Sequence, residues 1–296
     1  MRLFILFILV ISGLIVGMAI IALIAVAYGL GIMGLTDANA MANLPANPMR
    51  LIIMVNHLTM FMIPAIAWGI IWYKKEWLKG LSLKKIPKWL YLIVGLVFLL
   101  AAYPIVSKSY EINRLWDLPE WMSTAEDQTA ELLKKLLTMD NPGSLILNLL
   151  VIAIIPGIGE ELIFRGIIQK EFERHLKNPY VAVILGAIVF SALHFQFAGF
   201  LPRMFLGIIL GLLFYWTGSL WVSMFVHAFN NGMQVVLAYF YPAMIDQDLE
   251  SSVSSTWYMV LISVLVSMAI GYWFIHQKSK ENHIDNDPDN IQIQTV

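Results

Sequence analysis

Eight apolar stretches, each near the ~20 residues that a bilayer requires, divide the chain at roughly 3–31, 51–73, 89–106, 144–166, 180–197, 202–216, 219–241 and 256–275. Lipid offers no hydrogen bonds to a bare backbone, so segments of this length satisfy their own N–H and C=O groups only as helices. The expected fold is all-α: a polytopic membrane protein, a bundle of about eight transmembrane helices forming a single domain over 1–280. Composition agrees, with 59% hydrophobic and 13% charged residues, against about 25% charged in soluble domains. A net charge of −1 creates no basic field that would recommend a nucleic acid. The absence of cysteine excludes disulfides, a thiolate nucleophile and sulfur-ligated metal. The first stretch has an apolar run about twice as long as the h-region of a signal peptide, so it is expected to be retained. Ala38-Asn39-Ala40 resembles a cleavage site but lies too far along the chain. The sixth stretch is short and contains Gly207-Ile-Ile-Leu-Gly211, a small-xxx-small face that lets helix backbones approach.

Lys and Arg bias sets orientation. Lys74, Lys75, Lys79, Lys84, Lys85 and Lys88 follow the second stretch, Lys170, Arg174 and Lys177 follow the fourth, and Lys278 and Lys280 follow the last. With eight spans these groups share one side with Arg2, so both termini are expected to be cytoplasmic. Asp246, Asp248 and Glu250 then fall on the opposite side. Residues 107–143 form a long non-cytoplasmic connection in which Ser123-Thr-Ala-Glu126 reads as a capping box. Leu132, Leu133, Leu136 and Leu137 make an apolar stripe on the helix that follows. This helix is expected to lie on the membrane surface or to pack over the bundle mouth. Residues 281–296 are polar and rich in Asn and Asp, and are expected to be a disordered cytoplasmic tail.

Against this background one run stands out, Pro156-Gly-Ile-Gly-Glu160-Glu161-Leu-Ile-Phe-Arg165-Gly166. Charge at membrane depth costs ~2.5–3.5 kcal/mol per residue even on lenient scales. Pro156 and the two glycines predict a kink or break, after which Glu160 and Glu161 would open a helical stretch at its positive dipole end. Glu161 and Arg165 are four apart and can pair on one face, which leaves Glu160 free for another task. An ion pair that merely locks two helices is the plainer reading. His194 ends Phe190-Ser-Ala-Leu-His194, and a lone histidine of this kind is more often a hydrogen-bonded packing residue than a ligand. His227 and Asn231 share one helical face; polar glue between helices is the alternative, and Asn230 competes for the amide role. Asn56-His57 could line a cavity, yet His57 has no acidic partner in its own segment.

Together these residues have complementary chemistry. A carboxylate and an imidazole can bind and deprotonate a water for attack on an amide carbonyl. An imidazole and a carboxamide can donate to the oxyanion that develops. His194 and His227 with Glu160 could equally hold a divalent metal such as zinc with a water in its open position, although no HExxH pattern occurs.

The ordered set Glu160-Glu161-x-x-x-Arg165, Phe190-x-x-x-His194 and His227-x-x-x-Asn231 resembles the three motifs of the CAAX-protease and bacteriocin-processing family (CPBP, or Abi, intramembrane proteases), over about residues 143–240. The first motif carries most of the likeness, through the tract Glu-Glu-Leu-Ile-Phe-Arg-Gly. The resemblance implies that Glu160 is the catalytic carboxylate, that His194 helps it to activate water, and that His227 and Asn231 stabilise the oxyanion. Glu161 and Arg165 match the supporting part of the first motif. Family members are described both as metalloproteases and as glutamate-dependent enzymes. One branch removes the last three residues of prenylated CAAX proteins, and prokaryotic-looking relatives are associated with bacteriocin maturation, self-immunity or membrane-protein substrates. The implied partners are membrane lipid and a membrane-bound or lipidated peptide or protein, in a bacterial inner membrane.

Two other classes compete with an intramembrane endopeptidase. One is a non-enzymatic immunity, scaffold or regulatory protein on the same fold. The other is a transporter that uses the same residues as a relay. One geometric difficulty also stands. Counting from the span ends puts Glu160 toward the cytoplasm, whereas His194 lies ~15 residues, or roughly 20 Å, beyond the cytoplasmic start of its helix. The two meet only if the fourth helix runs past residue 166, through Glu171 and Arg174, or if the fifth starts outside the bilayer.

Overall fold

The computed structural model describes residues 1–29, 44–245 and 255–285. The Ala38-Asn39-Ala40 site, the Asp246, Asp248 and Glu250 cluster and the tail from 286 onward lie outside the described residues. Every described element is helical. The chain runs through α1 (Arg2–Ala27), α2 (Ala46–Gly80), α3 (Trp89–Asn113) and α4 (Glu120–Leu137). It continues through α5 (Pro142–Leu176), α6 (Pro179–Ala192), α7 (Phe200–Thr217), α8 (Leu220–Phe240) and α9 (Trp257–Asp285). Each of the eight apolar stretches has a helix over most of its described length, although α6 stops at Ala192, short of the expected end at 197 and before His194. Six of them, α1, α2, α3, α5, α7 and α9, are long and apolar enough to cross a membrane. α6 is apolar but has only 14 residues, and α8 is outside the six, its apolar run interrupted by His227, Asn230, Asn231 and Gln234. α9 continues through 281–285, the first residues of the segment expected to be a tail.

α5 removes the depth difficulty. Pro142 occupies its first turn and the Asn141 side chain caps it by accepting from the Ser144 N–H at 3.0 Å. It does not stop near residue 166 but reaches Leu176, where Lys177 turns the chain with φ +52°. Asn178 then caps α6 by accepting from the N–H groups of Tyr180 and Val181, with Pro179 in the first turn. Glu160 is sixteen residues before Leu176 and His194 fifteen after Pro179. At 1.5 Å per residue both lie about 22–24 Å from the Lys177 turn, so α5 and the turn that ends antiparallel α6 bring them to about the same level.

Neither Pro156 nor Pro64 breaks its helix. A π-helical turn precedes each, Leu149–Ile154 before Pro156 and Leu58–Met62 before Pro64, widening the helix where the proline ring would meet the carbonyl four residues back. The expected break at Pro156 is therefore absent, and Glu160 and Glu161 sit inside a continuous helix rather than at a helix start. α7 docks through its glycines: the Arg165 guanidinium donates to the Gly207 carbonyl at 3.0 Å and the Gln169 amide to that of Gly211 at 3.1 Å. A Cβ on Gly207 would stand 3.0 Å from the Ala187 Cα of α6.

α4 packs over one end of the bundle, burying Leu136 and Leu137 and touching α2 and α8. It starts at Glu120, behind Pro119 with φ −55°, so Ser123 and Glu126 are interior residues and the expected capping box does not form. The Thr124 hydroxyl donates to the Glu120 carbonyl, and Glu126 accepts from the Ala198 N–H at 2.7 Å.

Candidate active site

Two glycines ahead of the paired glutamates let neighbouring helices reach α5. A Cβ on Gly157 would lie 3.0 Å from the Cβ and backbone N of Ala228 on α8, and one on Gly159 would lie 3.1 Å from Phe61 and Met62 on α2. The close approach at Ala228 brings the adjacent His227 to α5, and that at Phe61 brings His57. Gly157→Val is therefore expected to push α8 outward and cost about 1–3 kcal/mol as an overpacked contact. Thermal unfolding in detergent, compared with Gly143→Val at the α5 start, checks this.

Three imidazoles surround the Glu160 carboxylate, which is itself buried. Its Oε2 lies 3.8 Å from Nε2 of His194 and 3.9 Å from Nε2 of His227, and its Oε1 lies 3.4 Å from Nε2 of His57. In each ring the other nitrogen faces a group that can only accept. His194 Nδ1 is 2.7 Å from the Phe190 carbonyl, His57 Nδ1 is 3.1 Å from that of Ile53, and His227 Nδ1 is 2.9 Å from Glu161 Oε1. Each Nδ1 can therefore donate, and each Nε2 is the nitrogen turned toward Glu160. Glu160 Oε2 has no hydrogen-bond partner of its own.

Behind this group stands a second, fully buried one. Glu161 Oε1 accepts from Arg165 Nη1 at 2.6 Å as well as from His227, so the ion pair expected from i,i+4 spacing also fixes an imidazole on another helix. The Arg165 guanidinium lies over the Phe190 ring at 4.7 Å. That ring meets His194 and His227 with its edge, at centroid separations of 4.9 and 5.8 Å. Phe190 thus sets the spacing of both imidazoles.

A cavity of about 290 Å³ opens onto Glu160, His194, His227, Asn230 and Asn231, with Leu99, Tyr103 and Leu206 among its apolar walls. Asn231 donates to the Ile152 carbonyl at 3.3 Å and accepts from Asn230 at 3.2 Å. Ile152 is the carbonyl that Pro156, lacking an N–H, cannot serve. Every residue singled out in the three motifs thus falls in one neighbourhood. His57, ranked low in the sequence because its own segment holds no acid, also belongs to it; only a cross-helix distance reveals that partner.

The donor chemistry of two or three imidazoles and a carboxylate suits zinc. A tetrahedral site with ~2.0 Å bonds needs its ligand atoms ~3.3 Å apart, whereas His194 and His227 stand 3.8 and 3.9 Å from Glu160 Oε2. Among the described residues no three His, Asp or Glu side chains close on a common point for a metal ion. These separations are wider than those of a closed tetrahedral site, and no chemical step below passes through a cation.

Residues 142–233 match the model of the Rce1-like family, described as type II CAAX prenyl endopeptidase Rce1-like. All three motifs lie inside this stretch, so the resemblance to CAAX proteases holds across it, and His57 lies outside it. No curated protein and no solved structure matches the chain.

Proposed function

We propose that the chain is an intramembrane endopeptidase that hydrolyses a peptide bond in a membrane-bound or lipidated peptide or protein. The observation that carries this reading is the Glu160 Oε2 atom, buried and without a hydrogen-bond partner, within 3.9 Å of two imidazole Nε2 atoms at a cavity wall. A polar separation beyond a direct hydrogen bond is the span that one water bridges. A water held between Glu160 and His194 gives its proton to the Glu160 carboxylate as its oxygen attacks the substrate carbonyl carbon. The Asn231 amide donates to the resulting oxyanion, and His227 does so from Nε2, its Nδ1 held by Glu161. Glu160 then returns the proton to the leaving nitrogen as the C–N bond breaks, leaving a carboxylate on one product and an amine on the other. Arg165 donates to the same Glu161 oxygen that His227 meets, and so acts through both.

The setting proposed is a bacterial inner membrane, with all eight apolar helices passing through or into the bilayer and both termini in the cytoplasm. The test is purification of wild type and Glu160→Gln in detergent, a peptide-library cleavage assay on both, and metal analysis of the same preparations. Cleavage by wild type that Glu160→Gln lacks supports the reading. Equal activity in the two overturns it and leaves a non-enzymatic membrane role. Stoichiometric metal that is lost in His194→Ala would add a cation to the site.

A further inference from the structure

We infer that the cavity opens on the extracytoplasmic face, so that the substrate is a membrane-anchored peptide exposed on that side; this rests on the hydrolase reading above. The structure gathers the basic segments at one end. Lys170 Nζ donates to the Gly80 carbonyl and the Ser82 hydroxyl at 2.8 and 2.7 Å. The Ser219 hydroxyl donates to the Lys85 carbonyl, Lys278 to that of Tyr215 at 2.8 Å, and Arg2 pairs with Glu171 at 3.2 Å. Arg2, the six lysines of 74–88, the three basic residues of 170–177, Lys278 and Lys280 all belong to this end, twelve of the 19 Lys and Arg. The positive-inside rule places such an end in the cytoplasm.

The cavity faces the other way. Its outer wall is Leu133 of α4, Gln196 and Arg203 beside the start of α7, and Gln234 of α8. These belong to the end where Asn113 of α3 donates to the Phe197 carbonyl at 2.8 Å and Glu126 of α4 accepts from Ala198. Toward the basic end the site is sealed. Residues 161–169 of α5 are all buried, their apolar side chains packed among Phe214, Leu220 and Met224, and Glu160 is about 24 Å of helix from Leu176. A peptide reaching Glu160 from the cytoplasm would have to part that layer. The CAAX segment of a soluble cytoplasmic protein therefore has no open route, whereas a peptide tethered to the outer leaflet does.

The chain contains no cysteine, so single-cysteine variants report sidedness without background. Leu133→Cys lines the mouth at a residue 38% exposed, and Ile86→Cys lies in the basic connection at one 85% exposed. A membrane-impermeant maleimide should label Leu133→Cys in intact spheroplasts and Ile86→Cys only after lysis. The reverse pattern, or Leu133→Cys refractory in both states, overturns the inference. Labelling needs no activity, so it is separate from the hydrolase reading. That reading fails on its own if right-side-out and inverted vesicles both leave anchored peptides intact.

We also propose that His57 is a positioning residue for Glu160. It is the imidazole on Oε1, at 3.4 Å, while Oε2 is turned toward His194 and His227. The ring is itself held, by the Ile53 carbonyl at Nδ1 and by stacking on Phe61 at 5.5 Å. It does not line the cavity, so it acts through the carboxylate, fixing its rotation. His57→Leu should lower kcat by ~10–100-fold with KM within about twofold, and His57→Gln, which restores a donor, should recover part of the loss. Added to Glu160→Gln, His57→Leu should leave the residual rate unchanged. An unaltered kcat in both His57 variants, a change confined to KM, or a further loss in the Glu160→Gln background overturns the assignment.

Discussion

Arg165→Ala is expected to lower stability by about 3–5 kcal/mol, the usual loss when one partner of a buried ion pair is removed. The guanidinium answers Glu161 at 2.6 Å and the Gly207 carbonyl at 3.0 Å, with its face on Phe190. Without it the Glu161 carboxylate keeps only His227 as a partner, at zero exposure and with Oε2 already unpartnered. Most of the effect is thus an uncompensated charge rather than a lost contact. Arg165→Met combined with Glu161→Gln should be milder than Arg165→Met alone, because the orphaned charge is gone. Chemical unfolding of the four corners of this cycle in detergent measures it. A single-variant loss below about 1 kcal/mol, in the range of exposed pairs, would show that the pair does not hold the bundle.

Glu160→Gln is expected to lower kcat by ~10²–10⁴-fold, the contribution of a positioned general base, with stability held or improved. The amide keeps the volume of the carboxyl group and can donate to an imidazole Nε2, so α2, α6 and α8 keep their spacing. What disappears is an oxygen that can take a proton from water. Single-turnover cleavage gives the rate and thermal unfolding the control. A loss of activity that tracks unfolding would assign Glu160 a structural role instead.

The apolar runs made the all-helical class readable, because lipid-length hydrophobicity and helical hydrogen bonding leave little else; six of the helices are long and apolar enough to cross a membrane. The end of α5 was readable only as one of two alternatives, a helix running past 166 or a fifth helix starting outside the bilayer. Gln169, Lys170, Glu171 and Arg174 look like a solvated connection, yet Gln169 and Glu171 are buried and, besides the Glu171–Arg174 pair within the helix at 2.9 Å, they have partners from elsewhere. Those partners are the Gly211 carbonyl for Gln169, the Gly80–Ser82 turn for Lys170, and Arg2 for Glu171. His57 escaped for the same reason, since its acid lies 103 positions away on another helix. At Pro156 the sequence suggested a kink or break; a π-helical turn accommodates the ring without a break, and Asn231 donates to the Ile152 carbonyl. Within one helix, spacing was enough to pair Glu161 with Arg165 and to put His227 near Asn231. It could not show that Glu161 also holds His227, which ties those two motifs into one unit.

The most direct test of the account is mass spectrometry of a lipid-anchored peptide library after incubation with the reconstituted wild-type protein and with folded Glu160→Gln. Wild type should generate peptides with new carboxyl termini at a defined bond, each carrying one oxygen from labelled water, and Glu160→Gln should leave the library intact. The same cut made at the same rate by Glu160→Gln would contradict a carboxylate-activated water as the source of the chemistry.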